Sequence, residues 1–316
     1  MPRSVKDGPL PVGGRTVQVS SVAKPFFPDA GLTKGDLIAY YRDVAEVMLP
    51  HLAGRPLNLQ RFPNGVNGKG FWQQGASEHF PDWVRTVTVE RRGRGGTVDH
   101  VVCDHPATIV YLANLATVTF HAWTSTVEHL ARPDLLVIDL DPDPDQELAV
   151  VRDAARAVRR AGEEIGLTPF VQTSGSRGYH VVMPLRPGPD VEVARRLADE
   201  LALLVAARDP DRLSVEWRKA SRQGRLLLDT ARNGYAQTVV APYSVRPKPE
   251  APVATPIEWS ELGRVEPRSY TMANLRRRLA RKPDPWAGMA ASAAEFEPVR
   301  ARLDELLAEA GSQGRD

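Results

Sequence analysis

The chain has 316 residues, is 42% hydrophobic and 25% charged, and carries a net charge of only +2; this supports a sizeable core and excludes a mostly disordered chain. A single cysteine, Cys103, excludes an internal disulfide and a cysteine-built zinc cluster. No apolar run approaches the ~18–20 residues of a membrane span. The start "MPRSVKDGPLPVGG" lacks the apolar segment of a secretory signal, so a cytoplasmic location is expected.

The first twenty residues are rich in Gly and Pro and read as a loose arm or an edge strand. "TKGDLIAYYRDVAEVMLPHL" reads as a helix: Thr33 caps it with Asp36 three residues on, and Leu37, Tyr41, Val44 and Met48 form one apolar face. "RPLNLQRF" reads as a strand. "DWVRTVTVERR" and "TVDHVVC" alternate around "GRGG" and predict a hairpin. "PATIVYLANLAT" opens with Pro106 and predicts a short helix. "TVTFHAW" and "DLLVIDLD" predict strands, and "DQELAVVRDAARAVRRAGEEIGL" a long amphipathic helix. Strand "PFVQTS", loop "GSRG" and strand "YHVVMPL" follow, then a helix over 190–207 and a short strand in "GRLLLD". Dense Pro and Gly from 242 to 268 predict a long surface excursion; helices near 271–281 and 292–309 end the chain. Strands and helices mix without a strict β-α-β rhythm, which predicts an α+β fold with at least two sheets.

Three clusters carry candidate chemistry. In "LLVIDLDPDPDQ" an apolar strand runs into Asp139, Asp141, Asp143 and Asp145. On a strand Asp139 and Asp141 share a face ~6.5–7 Å apart, a spacing from which two carboxylates can converge on divalent cations. A calcium loop is excluded, since the sixth and twelfth positions are Pro144 and Val150 counted from Asp139, or Gln146 and Arg152 counted from Asp141. A solvated turn offsetting a helix dipole accounts for Asp143, Asp145 and Glu147 but not for Asp139. A paired general acid and base stays open beside metal binding. In "TSGSRGYHVVMPL", Gly175 and Gly178 allow positive φ and bring backbone N–H groups towards an anion, with Arg177 and His180 adjacent. The loop is neither a nucleophile elbow nor a Walker loop. In "GRLLLDTARNG" an apolar strand again ends in an acid, Asp229, followed by Arg232; Arg246 closes "VAPYSVRP". Helix capping and surface ion pairs explain this third cluster equally well.

Taken together and in this order, the clusters resemble the archaeo-eukaryotic primase superfamily. The nearest likeness is to the polymerase domain of bacterial ligase D and its stand-alone actinobacterial relatives, including ligase C-associated primase-polymerases. The family's D-x-D, Ser-Gly-x-x-Gly-x-His loop and third Asp stand here as Asp139/Asp141, Ser174–His180 and Asp229. "VTFHAW" supplies the family histidine as His121, "RPLNLQRFPNGVNGKGFWQQ" resembles the segment ending in an aromatic pair, and "VAPYSVRPKP" resembles the third-motif tail. The likeness spans roughly residues 20–285.

The resemblance implies a primase-polymerase-like core of two mixed β-sheets flanked by helices. It divides the chain into an arm over 1–20, a catalytic domain over 21–290, with DNA binding in about 21–115 and catalysis in about 116–290, and a C-terminal helix and tail over 291–316. It implies a DNA-directed nucleotidyltransferase working on gapped or broken DNA, with ribonucleotides favoured. Asp139, Asp141 and Asp229 would hold two Mn²⁺ or Mg²⁺ ions; His121, Ser174, Arg177, His180, Arg232 and Arg246 would bind the nucleoside triphosphate. Ser21, Lys24, Lys34, Arg61, Lys69, Phe71 and Trp72 would contact DNA, including a downstream 5′-phosphate. The sequence departs from the family at Ser21, where Asn is frequent, and at Gln60 and Gln74, where Lys is. One neighbour of the Phe71–Trp72 pair is expected to face the core. Ligation would come from a separate chain, with a Ku-like end binder as a further partner and no membrane. A metal-dependent nuclease or phosphohydrolase, and a non-catalytic end-binding module that recruits a ligase, are the competing classes. His51, His79, His100, His105 and His129 show no ligand spacing and are expected to be structural.

Overall fold

A computed structural model describes residues 5–93 and 95–313. The chain opens with a hairpin, β1 (Gly8–Val12) and β2 (Arg15–Val19), in register from Gly8↔Val19 to Val12↔Arg15. The residues expected as a loose arm or edge strand are thus ordered from Gly8 onwards, because Val12, Val17 and Val19 are buried in the core. β3 (Pro25–Phe27) and β4 (Leu32–Thr33) lead into α1 (Lys34–Met48). The capping box forms as expected: Thr33 Oγ1 accepts from Asp36 N at 3.2 Å and Asp36 Oδ2 accepts from Thr33 N at 2.8 Å. The whole apolar face of α1 is buried. Next come β5 (Pro56–Arg61), β6 (Phe71–Gln73), β7 (Thr86–Glu90), β8 (Thr97–Val102), α2 (Pro106–Asn114) and β9 (Thr117–Trp123). β7 and β8 form the expected hairpin; Arg94 at its turn lies outside the described residues. His105 caps α2, its Nδ1 accepting from Ala107 N at 3.1 Å.

The second half contains β10 (Leu135–Leu140), α3 (Leu148–Glu164), β11 (Phe170–Thr173), β12 (Tyr179–Pro184), α4 (Val191–Ala207), β13 (Leu213–Ser214), α5 (Lys219–Arg222) and β14 (Leu226–Asp229). β15 (Thr238–Val240), β16 (Thr255–Ile257), α6 (Leu275–Leu279) and α7 (Phe296–Gln313) complete it. Among the described residues no helix is long and apolar enough to cross a membrane.

Two compact units result. The first takes residues up to Trp123, then Thr238–Thr255 and Arg268–Asp284; the second takes Thr124–Gln237, Pro256–Pro267 and the segment from Pro285 onwards. The strand at 117–123, expected in the catalytic part, therefore belongs to the first unit. The first unit's main sheet runs β15-β9-β5-β8-β7, with β6 paired to β5; the second unit's runs β13-β14-β10-β12-β11-β16.

The expected surface excursion over 242–268 is largely interior. Tyr243, Ser244, Val245, Ala251, Val253, Ala254 and Thr255 are all fully buried. Irregular backbone survives there because side chains satisfy it. Tyr40 Oη donates to Tyr243 O at 2.7 Å, Thr119 Oγ1 donates to Val245 O at 2.7 Å, and Val245 N donates to Tyr41 Oη at 3.0 Å. Pro and Gly mark turns within the core rather than exposure.

β14 pairs with β10 only at Asp139↔Asp229 and Leu140↔Leu228. Below that point Asn233, fully buried, continues the ladder with its side chain. Its Oδ1 accepts from Val137 N at 2.8 Å and its Nδ2 donates to Val137 O at 2.7 Å. Asn233→Ala removes both bonds and leaves a buried peptide unit unpaired on that side. It is expected to cost about 2 kcal/mol and to lower the melting temperature by ~5 °C, measured by thermal unfolding.

Candidate active site

In the second unit the register assembles the site. Asp139 on β10 stands opposite His180 on β12 and opposite Asp229 on β14, while His180 stands opposite Gln172 on β11. Directly opposed residues of antiparallel strands project to the same face. Asp229, Asp139, His180 and Gln172 therefore form one row across four strands. His180 Nε2 lies 3.3 Å from Asp139 Oδ1.

Asp229 is 9% exposed, and its Oδ1 accepts from Ala231 N at 2.8 Å. Burial pushes its carboxyl above the usual range, and the charges of Asp139 and Asp141 push the same way; the Ala231 N–H and Arg232 act against them. Arg232 sits in the short turn Ala231–Asn233 just after β14.

Asp141 lies one residue past the end of β10, and Arg177 grips it with both arms, Nε to Oδ1 at 3.2 Å and Nη2 to Oδ2 at 2.9 Å. The next acid, Asp143, is met by Lys219 Nζ at 3.3 Å. Among the described residues no three His, Cys, Asp or Glu side chains are arranged to hold a metal ion. The donor chemistry nonetheless fits a divalent cation. Asp139 and Asp229 present hard carboxylate oxygens from opposed positions, and burial, with the charge of Asp139 added to it, raises the Asp229 carboxyl.

The Ser174–Gly178 loop closes on itself. Ser174 N donates to Gly178 O at 2.9 Å, and Ser174 Oγ accepts from Ser176 N at 3.1 Å and from Gly178 N at 3.2 Å. The Ser174 hydroxyl thereby holds the loop as an acceptor, which leaves its O–H as the group suited to an anion. Gly175 has the expected positive φ of 63°. Gly178 does not; it is required for close approach, since a Cβ there would stand 1.6 Å from the Leu140 carbonyl oxygen. The loop is thus pressed onto the end of β10, which brings Arg177 within reach of Asp141.

The first unit holds the remaining candidates. His121 on β9 stands opposite Asn58 and Val240. The Trp72 ring meets the His121 ring edge-on, with centroids 4.8 Å apart. Phe71 is 44% and Trp72 53% exposed, so neither neighbour faces the core, contrary to expectation. β6 pairs with β5 at Leu59–Arg61, beyond the Pro56–Leu57 stretch that pairs with β8. Arg61 donates to Leu115 O and to Gln73 Oε1, each at 2.7 Å, and its guanidinium lies 5.3 Å from the Phe71 ring centroid. Lys34 Nζ donates to Ser20 O at 2.7 Å, and Lys24 Nζ donates to Asn64 Oδ1 at 3.0 Å. Burial lowers the Lys34 ammonium pKa; Asp7 offsets this, and Lys24 adds to it. Ser21, beside them, adopts a left-handed φ of 56°. Lys69 is exposed before β6, and Arg246 N donates to Pro252 O at 2.7 Å.

Several residues escaped the sequence reading. Gln172 and Asn233 carry no local signal, because their partners are distant in sequence. Trp217, 64% exposed, lies in the basic stretch "EWRKASRQGR", whose aromatic residue was the available cue. Of the histidines expected to be structural, His51 pairs with Asp284 at 2.7 Å and His100 Nδ1 lies 3.3 Å from Leu57 O.

The model of the LigD primase-polymerase domain family matches residues 33–286. The chain belongs to this family. Members of the LigD primase-polymerase domain family are DNA-directed nucleotidyltransferases, and the mixed strand-and-helix architecture is that of the family. Over 280 residues the chain is 34% identical to the multifunctional non-homologous end joining DNA repair protein LigD of Mycobacterium tuberculosis, covering 85% of this chain and 36% of that protein. Over 292 residues it is 27% identical to the bifunctional non-homologous end joining protein LigD of Bacillus subtilis, covering 92% of this chain and 46% of that one. The chain thus spans well under two thirds of either relative. The solved polymerase domain of Mycobacterium tuberculosis ligase D in complex with DNA superposes with a TM-score of 0.81 at 31% identity, covering 88% of this chain and 99% of that one.

The raised Asp229 carboxyl sets a stability test on metal-free protein. Its folded pKa lies above the unfolded one, so its ionisation destabilises the fold. That penalty is absent below the ordinary carboxylate range and grows as the pH rises towards and past the raised folded pKa. Asp229→Asn, which keeps the acceptor for Ala231 N–H, is expected to raise the melting temperature at pH 7–8. The gain should shrink towards zero as the pH falls to about 4, read from thermal unfolding across that range.

Proposed function

We propose that this protein is a template-directed DNA primase-polymerase that fills short gaps or extends ends during repair of DNA breaks by end joining, with ribonucleotides as preferred substrates. The observation that carries the reading is the opposed pair Asp139–Asp229 at the end of the central strand, beside a glycine loop clamped onto that strand. Asp139, Asp229 and Asp141 would hold two divalent cations, Mn²⁺ or Mg²⁺. Bound there, the cations would supply Lewis acidity to the primer hydroxyl and to the departing pyrophosphate.

The chain's own groups divide the remaining work. Arg177 and the Ser174 hydroxyl bind phosphate oxygens of the nucleoside triphosphate; on binding, Arg177 exchanges the Asp141 carboxylate for phosphate and so releases that carboxylate towards a cation. Arg232 offsets the negative charge at Asp229. His180, 4% exposed and facing Asp139, is better placed to orient that carboxylate than to touch the triphosphate.

On the first unit, Phe71 and Trp72 offer exposed rings for base stacking, an interaction worth ~1–3 kcal/mol per base and indifferent to sequence. Lys24, Lys34 and Ser21 form the basic corner suited to a downstream 5′-phosphate. The proposed partners are gapped or broken duplex DNA, a separate ligase chain and a Ku-like end binder.

The test is extension of a labelled primer across a gap of one to a few nucleotides with Mn²⁺, comparing ribo- and deoxyribonucleotides and downstream strands with and without 5′-phosphate. Wild type should extend. Asp139→Ala should lose about 1,000-fold or more, the scale of several kcal/mol of charge stabilisation. Lys34→Gln should remove most of any 5′-phosphate stimulation. Failure to extend with every nucleotide, alongside DNA cleavage, would overturn the polymerase in favour of a nuclease.

A further inference from the structure

The row of opposed residues does not end at His180. Gln172 is 1% exposed, and its Nε2 lies 3.1 Å from His180 Nδ1. An amide nitrogen can only donate, so Nδ1 at this contact is an acceptor and carries a lone pair. The hydrogen of the neutral ring then resides on Nε2, which faces Asp139 Oδ1 at 3.3 Å. The two contacts share one direction: Gln172 donates to His180 Nδ1, and the hydrogen on Nε2 is left on the side of Asp139 Oδ1, 3.3 Å away. The register fixes all three backbones, Gln172↔His180 and His180↔Asp139, and both Gln172 and His180 are shut off from water, so solvent competes little for the ring nitrogens.

We propose that Gln172 is a positioning residue of the active site: it locks His180 in the Nε2–H tautomer and so aims one oxygen of Asp139 at the ring, leaving the other for a cation. The cation part of this inference rests on the proposed function; the tautomer part does not. Groups that hydrogen-bond a metal-ligating side chain typically change metal affinity ~10–100-fold when lost. Gln172 acts one step further out, and a smaller effect follows. The opposite polarity, with an acceptor facing Nδ1, would put the hydrogen on Nδ1 and turn an Nε2 lone pair against the Asp139 carboxylate.

The experiment uses full-length, metal-free protein labelled with ¹⁵N-histidine, at pH 8, with His180 assigned by comparison with His180→Gln. Two-bond ¹H–¹⁵N spectra report which nitrogen is protonated. Wild type is expected to show His180 protonated on Nε2. Gln172→Glu replaces the donor with a carboxylate acceptor and is expected to bring the proton to Nδ1. Gln172→Met, close in volume but without a donor, is expected to weaken Mn²⁺ binding about three- to tenfold, measured by electron paramagnetic resonance of free Mn²⁺. His180 protonated on Nδ1 in wild type would overturn the proposal, as would a tautomer unchanged in Gln172→Glu or wild-type Mn²⁺ affinity in Gln172→Met. Should Gln172→Met fail to fold, the tautomer result in Gln172→Glu decides. Asp139→Ala separates the two readings: if it binds Mn²⁺ like wild type, the metal role of Asp139 fails, whatever the tautomer of His180.

Discussion

Two carboxylates that face each other across adjacent strands are the constraint around which the second unit is organised. Asp139 and Asp229 occupy opposed positions of β10 and β14, where Asp229 is nearly shut off from water. Like charges so placed repel and resist burial, and the raised Asp229 carboxyl reports both costs. The surrounding structure holds the pair in place despite them. Asn233 takes over the hydrogen bonding of β10 where β14 turns away, the Ala231 N–H binds the Asp229 carboxylate, and His180 covers one flank of Asp139. Hydrogen bonds thus fix the geometry of the pair while its negative charge persists.

The cationic side chains nearby are arranged differently. Arg177 and Lys219 meet Asp141 and Asp143 in ion pairs that are open to solvent, with both side chains of the Arg177–Asp141 pair about half exposed. Exposed pairs of this kind contribute ~0–1 kcal/mol, so these side chains can change partners at little cost. The backbone beneath is immobilised by contrast: Gly178 rests on the Leu140 carbonyl at a distance no side chain tolerates. A rigid loop whose own N–H groups are largely bonded within it thus carries side-chain charges free to change partners.

Local chemistry was legible in the sequence and long-range pairing was not. The capping box of α1, the apolar run ending at Asp139 and the β7–β8 hairpin each rest on residues within a few positions of one another, and each is found. The segment 242–255 failed because Pro and Gly report turns, whereas its burial depends on Tyr40, Tyr41 and Thr119 from distant parts of the chain. The opening segment, read as a loose arm or an edge strand, forms strands from Gly8 onwards; its alternating valines are few, and the core they meet decides between the two. The row Asp229–Asp139–His180–Gln172 was visible as three separate motifs, yet no single strand encodes its register. Gln172 went unnoticed because an amide in an apolar strand means nothing until the histidine opposite it is known.

The first unit carries the complementary charge problem. Lys34 is buried beside Lys24, and burial with a like charge lowers its pKa while Asp7 only partly compensates. Ser20 O and Asn64 Oδ1 hold the two ammonium groups by hydrogen bonds to neutral oxygens, which orients them without cancelling their charge. The aromatic pair is held in a similar way: Phe71 and Trp72 remain exposed while the Arg61 guanidinium lies over the Phe71 ring and His121 meets Trp72 edge-on. Two ammonium groups and two neighbouring exposed rings are thereby held in place on the first unit. The chain thus concentrates charge of opposite sign at two places, positive around Lys24 and Lys34 in the first unit and negative around Asp139 and Asp229 in the second.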